Sequence, residues 1–290
     1  MATLFYRSRF HFIIILMKKG FEKYIWSGCT ALVTGASSGM GLEYSRQLAA
    51  TGCHVVMVSN QKEELERYAD ELHQSFSVET TPIFCDLARY EAADELEAIC
   101  RDKGLQIDIL INNAGMFYFQ ELKGDTIRKG DMMLYLHVIT PTRLCEVFGE
   151  GMKQRGRGYM LNVSSVVAGM YVPGLILYGA TKAYLRSFSK SFYYEMKRYG
   201  VSVTVVSPGA VATGLYRVLP TLVKILDVAG KFGLVYSPQK LVHKALKAMF
   251  RRRRSVTPGW FNHLYAPAVN VLPKFMVSRI WGKIADSKDN

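Results

Sequence analysis

The sequence predicts a fold of the α/β class that is built on a doubly wound parallel sheet. Short apolar runs, such as HVVMVS (54–59) and VSVTVVSPG (201–209), alternate with helical patterns along most of the 290 residues. The runs are apolar on both faces, which is typical of parallel strands that helices cover on both sides. The 49% hydrophobic content suffices for a substantial core without disulfides or metals.

Each predicted element follows from a local pattern. β-Branched residues mark the strands, helical spacing of apolar residues marks the helices, and Gly52 ends the first helix. Ser237 and Pro238 fit the N-cap and the first turn of the last helix. In chain order the predicted elements are strand 30–35, helix 40–52, strand 54–59, helix 61–76, strand 80–87, helix 91–104, strand 107–115, helix 134–152, strand 158–165, helix 178–200, strand 201–209 and helix 237–254.

Positive charge is concentrated in two tails. The chain has a net charge of +13; residues 1–27 hold five Lys or Arg against one acid, and residues 247–290 hold nine against two. We therefore expect an N-terminal extension (1–27), a single domain (28–250) and a basic, amphipathic C-terminal extension (251–290). A nucleic-acid-binding enzyme more often carries its basic stripe on the folded body, so no nucleic acid partner is expected. An anionic membrane surface is the expected partner of the tails, and solvated tails are the alternative.

The N-terminal extension and the cysteines predict a location. The apolar run that ends at Met17 is far shorter than the roughly 20 residues that span a bilayer, and no small-residue cleavage site follows it. The five cysteines are scattered without metal-ligand spacing, so free thiols, no disulfide and no metal site are expected. We therefore expect a cytoplasmic protein that contacts a membrane peripherally through its tails. Met17 is an alternative start of the chain.

A glycine-rich turn joins the first strand to the first helix. TGASSGMG (34–41) places Gly35, Gly39 and Gly41 where the backbone can pass close to a pyrophosphate. The pyrophosphate then sits on the free N–H groups and the positive end of the helix. The spacing is GxxxGxG, so it differs from the commoner GxGxxG pattern. The position of the turn predicts a nucleotide site, and a turn without a ligand is the alternative.

Three further motifs lie at or just beyond the ends of predicted strands, where ligands bind in open parallel sheets. They are NNAG (112–115), NVSS (162–165) and PGAVAT (208–213), and YGATK (178–182) begins thirteen residues after Ser165. Four motifs in this order make the chain resemble the short-chain dehydrogenase/reductase family, in its single-domain form, over about residues 28 to 250.

The resemblance implies a Rossmann fold and hydride transfer between a nicotinamide cofactor and a carbonyl or secondary alcohol. It also implies a homo-oligomer that pairs through the helices carrying His137 and Tyr178. The residues that it places against the cofactor are Gly35, Ser37, Ser38, Gly39, Met40, Gly41, Ser59, Asn60, Asp86, Leu87, Asn113, Ala114, Gly115, Tyr178, Lys182, Pro208, Gly209, Val211 and Thr213.

Tyr178 and Lys182 are the predicted centre of the chemistry. They stand four residues apart, so they share one face of the predicted helix. A neighbouring cation favours the phenolate form of a phenol, which suits Tyr178 to general acid or base catalysis. The resemblance implies the same role, with Lys182 also binding the nicotinamide ribose and Ser165 holding the substrate oxygen. A surface pair is the alternative for an isolated YxxxK.

His137 departs from the pattern of the family, which usually has an asparagine 28 residues before the serine. There the asparagine holds a water in a proton relay behind the lysine. A neutral imidazole both donates and accepts hydrogen bonds, so His137 is the fourth predicted catalytic residue. The competing interpretation is that His137 fills space and that the relay, or catalysis itself, is lost.

Residues at the end of the second strand predict the cofactor. Ser59, Asn60, Gln61 and Lys62 include no acid that would bind the ribose 2′-hydroxyl of NAD and repel a phosphate. NADP(H) is therefore the preferred cofactor, and NAD(H) is the alternative. Asp86 matches the position at which family members contact the adenine, a role compatible with a helix N-cap.

The segment of residues 214–236 predicts the substrate class. It occupies the place of the family's substrate-covering lid and is rich in Leu, Val, Ile, Tyr and Phe, so it favours a hydrophobic, lipid-like substrate. A core helix explains the pattern nearly as well. Tails similar to residues 251–290 occur in relatives that reduce 3-ketosphinganine, long-chain 3-ketoacyl groups or steroids; a tail packed on the core or on a partner subunit is the alternative.

We therefore expect an NADP(H)-dependent reductase or dehydrogenase of a 3-keto lipid or a steroid. A family member that acts on a small polar ketone or alcohol is the first alternative. A non-catalytic, nucleotide-binding adaptor that kept the fold is the second.

Overall fold

Parallel strands form a single sheet in the computed structural model, which describes residues 26–118, 127–168, 170, 173–211 and 235–259. The strands are β1 (Thr30–Thr34), β2 (His54–Ser59), β3 (Thr80–Phe84), β4 (Ile107–Asn112), β5 (Gly158–Val163), β6 (Val201–Val206) and β7 (Ser255–Val256). The helices are α1 (Gly39–Ala49), α2 (Lys62–Phe76), α3 (Ala92–Asp102), α4 (Ile127–Leu134), α5 (Thr140–Arg155), α6 (Ile176–Lys197) and α7 (Pro238–Phe250).

Helices cover both faces of this sheet, because successive side chains of each strand point to opposite sides. Leu32 packs with residues of α3, α5 and α6, whereas Ala31 and Val33 pack with residues of α1, α2 and α7. All three side chains are fully buried. Burying a side chain such as Leu or Val contributes about 2 kcal/mol. The prediction of a doubly wound parallel sheet is confirmed.

The strand order β3-β2-β1-β4-β5-β6-β7 creates a crevice between two neighbouring strands. The chain first builds outward from β1 to β3, then returns to the other side of β1 and builds outward to β7. Ligands of open α/β sheets bind at this reversal, beyond the carboxyl ends of the strands. The predicted motifs TGASSGMG and NNAG follow β1 and β4, the two strands that flank it.

The predicted helix over residues 134–152 is wrong as a single α-helix. Tyr135–Ile139 form a π-helical turn between α4 and α5, in which the N–H of Thr140 donates to the carbonyl of Tyr135. Pro141 has no N–H to donate to the carbonyl of His137, four residues earlier, so the α-helical ladder is broken here. His137 therefore lies within an irregular turn.

The start of the last helix is as predicted. Ser237 is the N-cap of α7, where its side chain accepts a hydrogen bond from the N–H of Lys240 at 3.4 Å, and the helix begins at Pro238.

The described residues hold the five cysteines as free thiols, and four of them are buried. No helix in this part of the chain is both long and apolar enough to cross a membrane. Residues 1–25 and 260–290, which make up most of the two predicted extensions, lie outside the described residues.

Candidate active site

A cleft of about 480 Å³ lies at the carboxyl ends of the strands, and its lining comes largely from residues that follow β1 to β6. Most of the predicted site residues meet there. They are Gly35, Ser37, Ser38, Gly39, Met40, Ser59, Asn60, Asp86, Leu87, Asn113, Ala114, Gly115, His137, Ser165, Tyr178, Lys182, Pro208, Gly209 and Val211. Gly41 is buried in the first turn of α1 and does not line the cleft. Thr213 lies outside the described residues.

The glycine-rich turn packs closely against the loop after β4. Gly35 has a φ of +67°, and a Cβ added to it would lie 2.9 Å from the Cα of Ala114. A Cβ on Gly41 would lie 1.9 Å from the carbonyl oxygen of Gly35, so no larger residue fits there. The side chain of Ser38, the N-cap of α1, makes no capping hydrogen bond. The first N–H groups of α1 are therefore available to an anion at the cleft.

Thr34 ties the end of β1 to the NNAG loop. Its Oγ1 accepts hydrogen bonds from the N–H of Asn113 and the N–H of Ala114, both at 3.0 Å, and donates to the carbonyl of Ile111 at 3.2 Å. The side-chain amide of Asn113 donates to the carbonyl of Thr34 at 3.0 Å. These contacts hold the two walls of the cleft at a fixed spacing.

Three polar side chains form a cluster at the end of β2. The Oγ atoms of Ser37 and Ser59 are 2.8 Å apart, and the Ser37 hydroxyl lies 2.7 Å from Oε1 of Gln61. The N–H of Gln61 donates to the Ser59 Oγ at 3.2 Å. Helix α2 then begins at Lys62. This cluster presents hydroxyl and amide groups, without a carboxylate, to the cleft.

Tyr178 and Lys182 are both buried on α6, and Ser165 is buried after β5. The Lys182 Nζ lies 5.8 Å from the centre of the Tyr178 ring and donates to the carbonyl of Val163 at 3.0 Å. Burial lowers the pKa of Lys182 to about 8. The Ser165 Oγ accepts from the N–H of Val167 at 3.2 Å. A proton donor, a cation and a hydroxyl thus share one cleft.

His137 is fully enclosed beside Tyr178, with their rings edge to face and 5.8 Å apart. Its Nε2 accepts from the N–H of Met116 at 3.0 Å, and its Nδ1 lies 3.1 Å from Oγ1 of Thr181. Burial and the nearby Lys182 lower the pKa of His137 well below its usual range. The imidazole is therefore neutral, and both of its nitrogens are hydrogen-bonded to the protein.

Asp86 does not cap the helix that follows it. Its Oδ1 accepts from the N–H of Ala88 at 3.1 Å, and the N-cap position of α3 is Glu91. Asp86 instead lines the cleft, and its contact with the adenine stays a prediction.

Several cleft residues were not predicted as site residues. They are Gln61, Cys85, Ala88, Met116, Met132, Leu136, Val163 and Ser164. Most of these are adjacent in sequence to predicted residues or lie within a predicted motif, so a wider window around each one would have found them: Gln61, Cys85, Ala88, Met116, Leu136, Val163 and Ser164. Met132 lies on α4, away from any predicted residue, and carried no such signal.

The residues present fit a nicotinamide dinucleotide. Gly35 and Gly41 pack closely without side chains, so the backbone at the start of α1 is open to a ligand. No side chain caps this end of the helix, which suits a pyrophosphate. The hydroxyls after β2 suit the adenine ribose, and Lys182 and Tyr178 at the far wall suit the nicotinamide ribose.

Known proteins share both the sequence pattern and the fold. Residues 29–221 match the family model described as short chain dehydrogenase. The human very-long-chain 3-oxoacyl-CoA reductase is 32% identical over 259 residues, which are 86% of this chain and 77% of that protein. The rat 17-beta-hydroxysteroid dehydrogenase type 3 is 30% identical over 217 residues, covering 72% of this chain and 69% of that protein.

A solved structure agrees with these sequence matches. The short-chain dehydrogenase from Sphingobium yanoikuyae, in complex with NADPH, has a TM-score of 0.72 and 29% identity, covering 83% of this chain and 92% of that chain. This chain therefore belongs to the short-chain dehydrogenase/reductase family of nicotinamide-dependent oxidoreductases.

Proposed function

We propose that the protein is an NADP(H)-dependent reductase of a hydrophobic ketone, with a 3-keto lipid or a steroid as the substrate class. The observation that carries the proposal is the meeting of Ser165, Tyr178 and Lys182 in one cleft with the glycine-rich turn. The same reaction runs as a dehydrogenation when the alcohol and the oxidised cofactor are supplied.

Tyr178 acts as the general acid in the reducing direction. Its hydroxyl gives a proton to the carbonyl oxygen while the carbonyl carbon takes up hydride, so the ketone becomes a secondary alcohol. The nicotinamide, when bound, supplies that hydride. Ser165 donates a hydrogen bond to the same oxygen and stabilises the charge that develops on it. The ammonium group of Lys182 favours the phenolate that remains on Tyr178.

Apolar side chains support a hydrophobic substrate. Met116, Met132 and Leu136 line the cleft that holds Tyr178. Val211 also lines the cleft and pairs with Tyr236 through a β-bridge. The two residues that flank the apolar segment therefore lie next to each other, and Val211 places them at the cleft. Most of that segment, 212–234, lies outside the described residues. The names of the two relatives above specify a very-long-chain 3-oxoacyl-CoA, whose acyl chain is apolar, and a 17-beta-hydroxysteroid, whose ring system is apolar.

The hydroxyl cluster after β2 supports NADP(H) over NAD(H). Ser37, Ser59 and Gln61 supply donors where an NAD-preferring site has a carboxylate, and Lys62 adds a cation at the start of α2. The NADPH bound to the Sphingobium yanoikuyae protein, a structural relative, agrees with this preference.

A basic surface supports peripheral contact with an anionic membrane. Arg251 to Arg254 are all exposed, and none of them forms an ion pair with an acid among the described residues. Arg252 donates to the carbonyl of Gly200, just before β6, so its side chain lies at the amino end of that strand, away from the cleft. The free thiols are the state expected in the reducing cytoplasm.

The substrate assignment is tested by NADPH oxidation in the presence of long-chain 3-ketoacyl thioesters, 3-ketosphinganine, 3- and 17-ketosteroids and small polar ketones, with NADH run alongside. We expect turnover on one of the apolar classes. Turnover confined to small polar ketones would replace the proposed substrate class. Silence on every ketone despite measurable NADPH binding would favour the non-catalytic adaptor.

Tyr178→Phe should lower turnover at least about a hundredfold, because removing a general acid costs on that scale, and should leave the Kd for NADPH within about threefold. Steady-state kinetics and fluorescence titration with NADPH measure the two effects. Tyr184→Phe is the matched control on the same helix, because its hydroxyl contacts Thr142 in an exposed pair. Turnover of Tyr178→Phe equal to that of the control would remove Tyr178 from the mechanism.

Ser59→Asp should move the ratio of kcat/KM for NADPH to that for NADH at least about a hundredfold towards NADH, equivalent to about 2.7 kcal/mol. The new carboxylate can accept hydrogen bonds from the Ser37 hydroxyl and the Gln61 N–H, and it repels a 2′-phosphate. Ser59→Ala, which removes the hydroxyl without adding charge, is the control. An unchanged ratio in Ser59→Asp would show that the end of β2 does not select the cofactor.

Lys182→Met should abolish turnover and yet raise the free energy of unfolding at pH 7 by about 2 kcal/mol. Lowering the lysine pKa from 10.5 to about 8 reflects a burial cost of about 3 kcal/mol, and the lost hydrogen bond to Val163 offsets about 1 kcal/mol of the gain. Denaturant unfolding measures the difference, with the exposed Lys197→Met as control.

The pH dependence has a definite sign. Between about pH 8 and 10.5 the unfolded chain binds more protons at Lys182 than the folded chain does, so the contribution of Lys182 to wild-type stability becomes more favourable as the pH rises through this window. The stability advantage of Lys182→Met should shrink correspondingly as the pH is raised from 8 to 10. A variant less stable than wild type at pH 7 would contradict the cost assigned to this charge.

Replacing Arg251 to Arg254 together by glutamine should reduce binding to liposomes that contain phosphatidylserine at least about tenfold, because each basic residue contributes about 1 kcal/mol near such a surface. Co-sedimentation at low and high salt measures it, and high salt should release the wild-type protein as well. The matched control replaces Arg128 and Lys129, exposed on α4, by glutamine. Equal binding of the arginine variant and wild type would exclude these residues as the membrane contact.

A further inference from the structure

We propose that the protein docks on an anionic membrane by one whole edge of its sheet, the edge formed by β7. This cationic edge consists of the outer faces of α6 and α7 together with Arg251 to Arg254, which join α7 to β7. The inference rests on the proposed membrane contact and deepens it, because it adds two helices and an orientation to the four arginines. It is carried by the distribution of charge across the sheet, by unpaired cations at the edge, and by the places where the two extensions join the described chain.

Opposite charges are separated to opposite edges of the sheet, of which β3 forms one and β7 the other. Helix α2, which packs on β3, carries five acids against two Lys or Arg, and α3, which follows β3, carries four acids against one. Helix α7, which contacts β6 and β7, carries three lysines and no acid. Helix α6, which packs on β6, carries four Lys or Arg and the single acid Glu195. The β7 edge therefore attracts an anionic surface.

The cations of each helix share one face, because they recur at helical spacing. On both helices the second cation stands four residues after the first, and the last stands eleven after it. They are Arg186, Lys190 and Lys197 on α6, and Lys240, Lys244, Lys247 and Arg251 on and after α7. All of them are exposed or half-buried.

These cations are free to bind an external anion. None of them forms an ion pair with an acid in the part of the chain that the structure describes. Glu195, the acid of α6, lies 4.0 Å from Lys153 of α5 instead. Away from this edge, by contrast, Arg46, Arg89 and Arg143 are each paired with an acid.

Cations from α6 and from the approach to β7 lie near one another. Arg254 donates to the hydroxyl of Tyr194 and lies over its ring, 5.3 Å from the centre, and Tyr194 stands one turn after Lys190. Burial and the charges of Arg186 and Arg254 lower the pKa of Lys190. Like charges at this spacing repel one another, so an anion that lies across them is bound favourably.

Both predicted extensions join the described chain at this edge or beside it. Trp26, the first described residue, stacks on Phe250 at the end of α7, with ring centres 4.7 Å apart. Gly259, the last described residue, stands three residues after the end of β7. Residues 1–25 and 260–290, which carry most of the basic charge of the two tails, are therefore attached where the basic helices meet.

The cationic edge reaches the rim of the cleft. Lys244 donates to the hydroxyl of Tyr236 at 3.1 Å, and Tyr236 pairs through its β-bridge with Val211, which lines the cleft. Lys240 lies one turn before Lys244, closer to the start of α7. Docking by this edge thus brings one side of the cleft against the membrane, in which an apolar substrate of the proposed class is dissolved.

A membrane fits this edge better than other partners do. Aromatic rings stand among the cations, since Tyr194 is 61% exposed and Tyr199 is 39% exposed, and such rings favour the boundary between headgroups and acyl chains. A second copy of the chain would set like charges against each other along β7, which opposes pairing of two edge strands. A nucleic acid is the competing anion.

The test compares variants of the full chain in which three cations at a time are replaced by glutamine. The two edge variants change Arg186, Lys190 and Lys197 on α6, or Lys240, Lys244 and Lys247 on α7, and the matched control changes Arg67, Arg101 and Lys103 at the acidic edge. Co-sedimentation with phosphatidylcholine vesicles that contain phosphatidylserine measures binding. We expect each edge variant to bind at least about tenfold more weakly than wild type, and the control to bind within about twofold. Thermal unfolding and the Kd for NADPH check that each variant is folded.

The outcomes separate this proposal from those before it. A control that loses as much binding as the edge variants would overturn it, because net charge and not a face would then set the affinity. Loss of binding confined to the variant of Arg251 to Arg254 would keep the arginine contact and refute docking by the whole edge. Tighter binding to duplex DNA than to the vesicles at equal salt would assign the edge to nucleic acid. Vesicle binding needs no turnover, so a protein that reduces no ketone would refute the proposed reaction and still allow this comparison.

Hydrogen–deuterium exchange of the wild-type protein covers the case in which a variant does not fold. With phosphatidylserine vesicles present, exchange should slow in α7, in the second half of α6 and in residues 251–256, whereas α2 and α3 should exchange as they do without vesicles. Vesicles of phosphatidylcholine alone should produce no protection. Protection of α2 or α3, or none at α6 and α7, would overturn the proposal.

Discussion

The hydroxyl of Thr34 makes the contacts on which the rest of the cleft depends. It binds two backbone N–H groups of the loop after β4 and one carbonyl of β4 itself. These bonds join β1 to β4, the two neighbouring strands at which the strand order reverses. The glycine-rich turn and the NNAG loop keep a constant separation because this one side chain, together with the amide of Asn113, bridges them.

A series of polar contacts continues from Thr34 towards Tyr178. The loop that Thr34 holds by Asn113 and Ala114 is held again at Met116 by His137, and His137 is bonded through Thr181 to the backbone of Tyr178. The phenol of Tyr178 is thus placed relative to β1 by hydrogen bonds between groups that are buried or half-buried. Hydrogen bonds away from bulk water are strengthened, and so these bonds restrict the position of the phenol.

The same burial that orders the site also opposes the charge of Lys182, which the proposed chemistry uses. Lys182 is enclosed and donates to the carbonyl of Val163, so its ammonium form is disfavoured relative to water. A site that must hold a cation beside a phenol therefore reduces the stability of the fold. A neutral His137 next to Lys182 avoids adding a second positive charge to this region.

The sequence by itself determined the fold class and the position of most site residues along the chain. Alternating apolar runs and helical patterns indicate a parallel sheet because both are local properties. The motifs at Gly35 and Ser165 follow from their place at strand ends, and Tyr178 and Lys182 follow from their spacing on one helix. The break in the helix at His137 was missed, although Pro141 supplied its local signal.

Only the tertiary structure decided which groups face one another. The bond from Ala114 to Thr34 spans 80 positions, that from Thr181 to His137 spans 44, and that from Met116 to His137 spans 21. Contacts between such distant residues depend on how strands and helices pack, and no periodicity or motif spacing encodes the direction of a hydrogen bond. For this reason the sequence marked His137 as unusual, and the packing of the loop after β4 against α6 determined what both of its nitrogens bind.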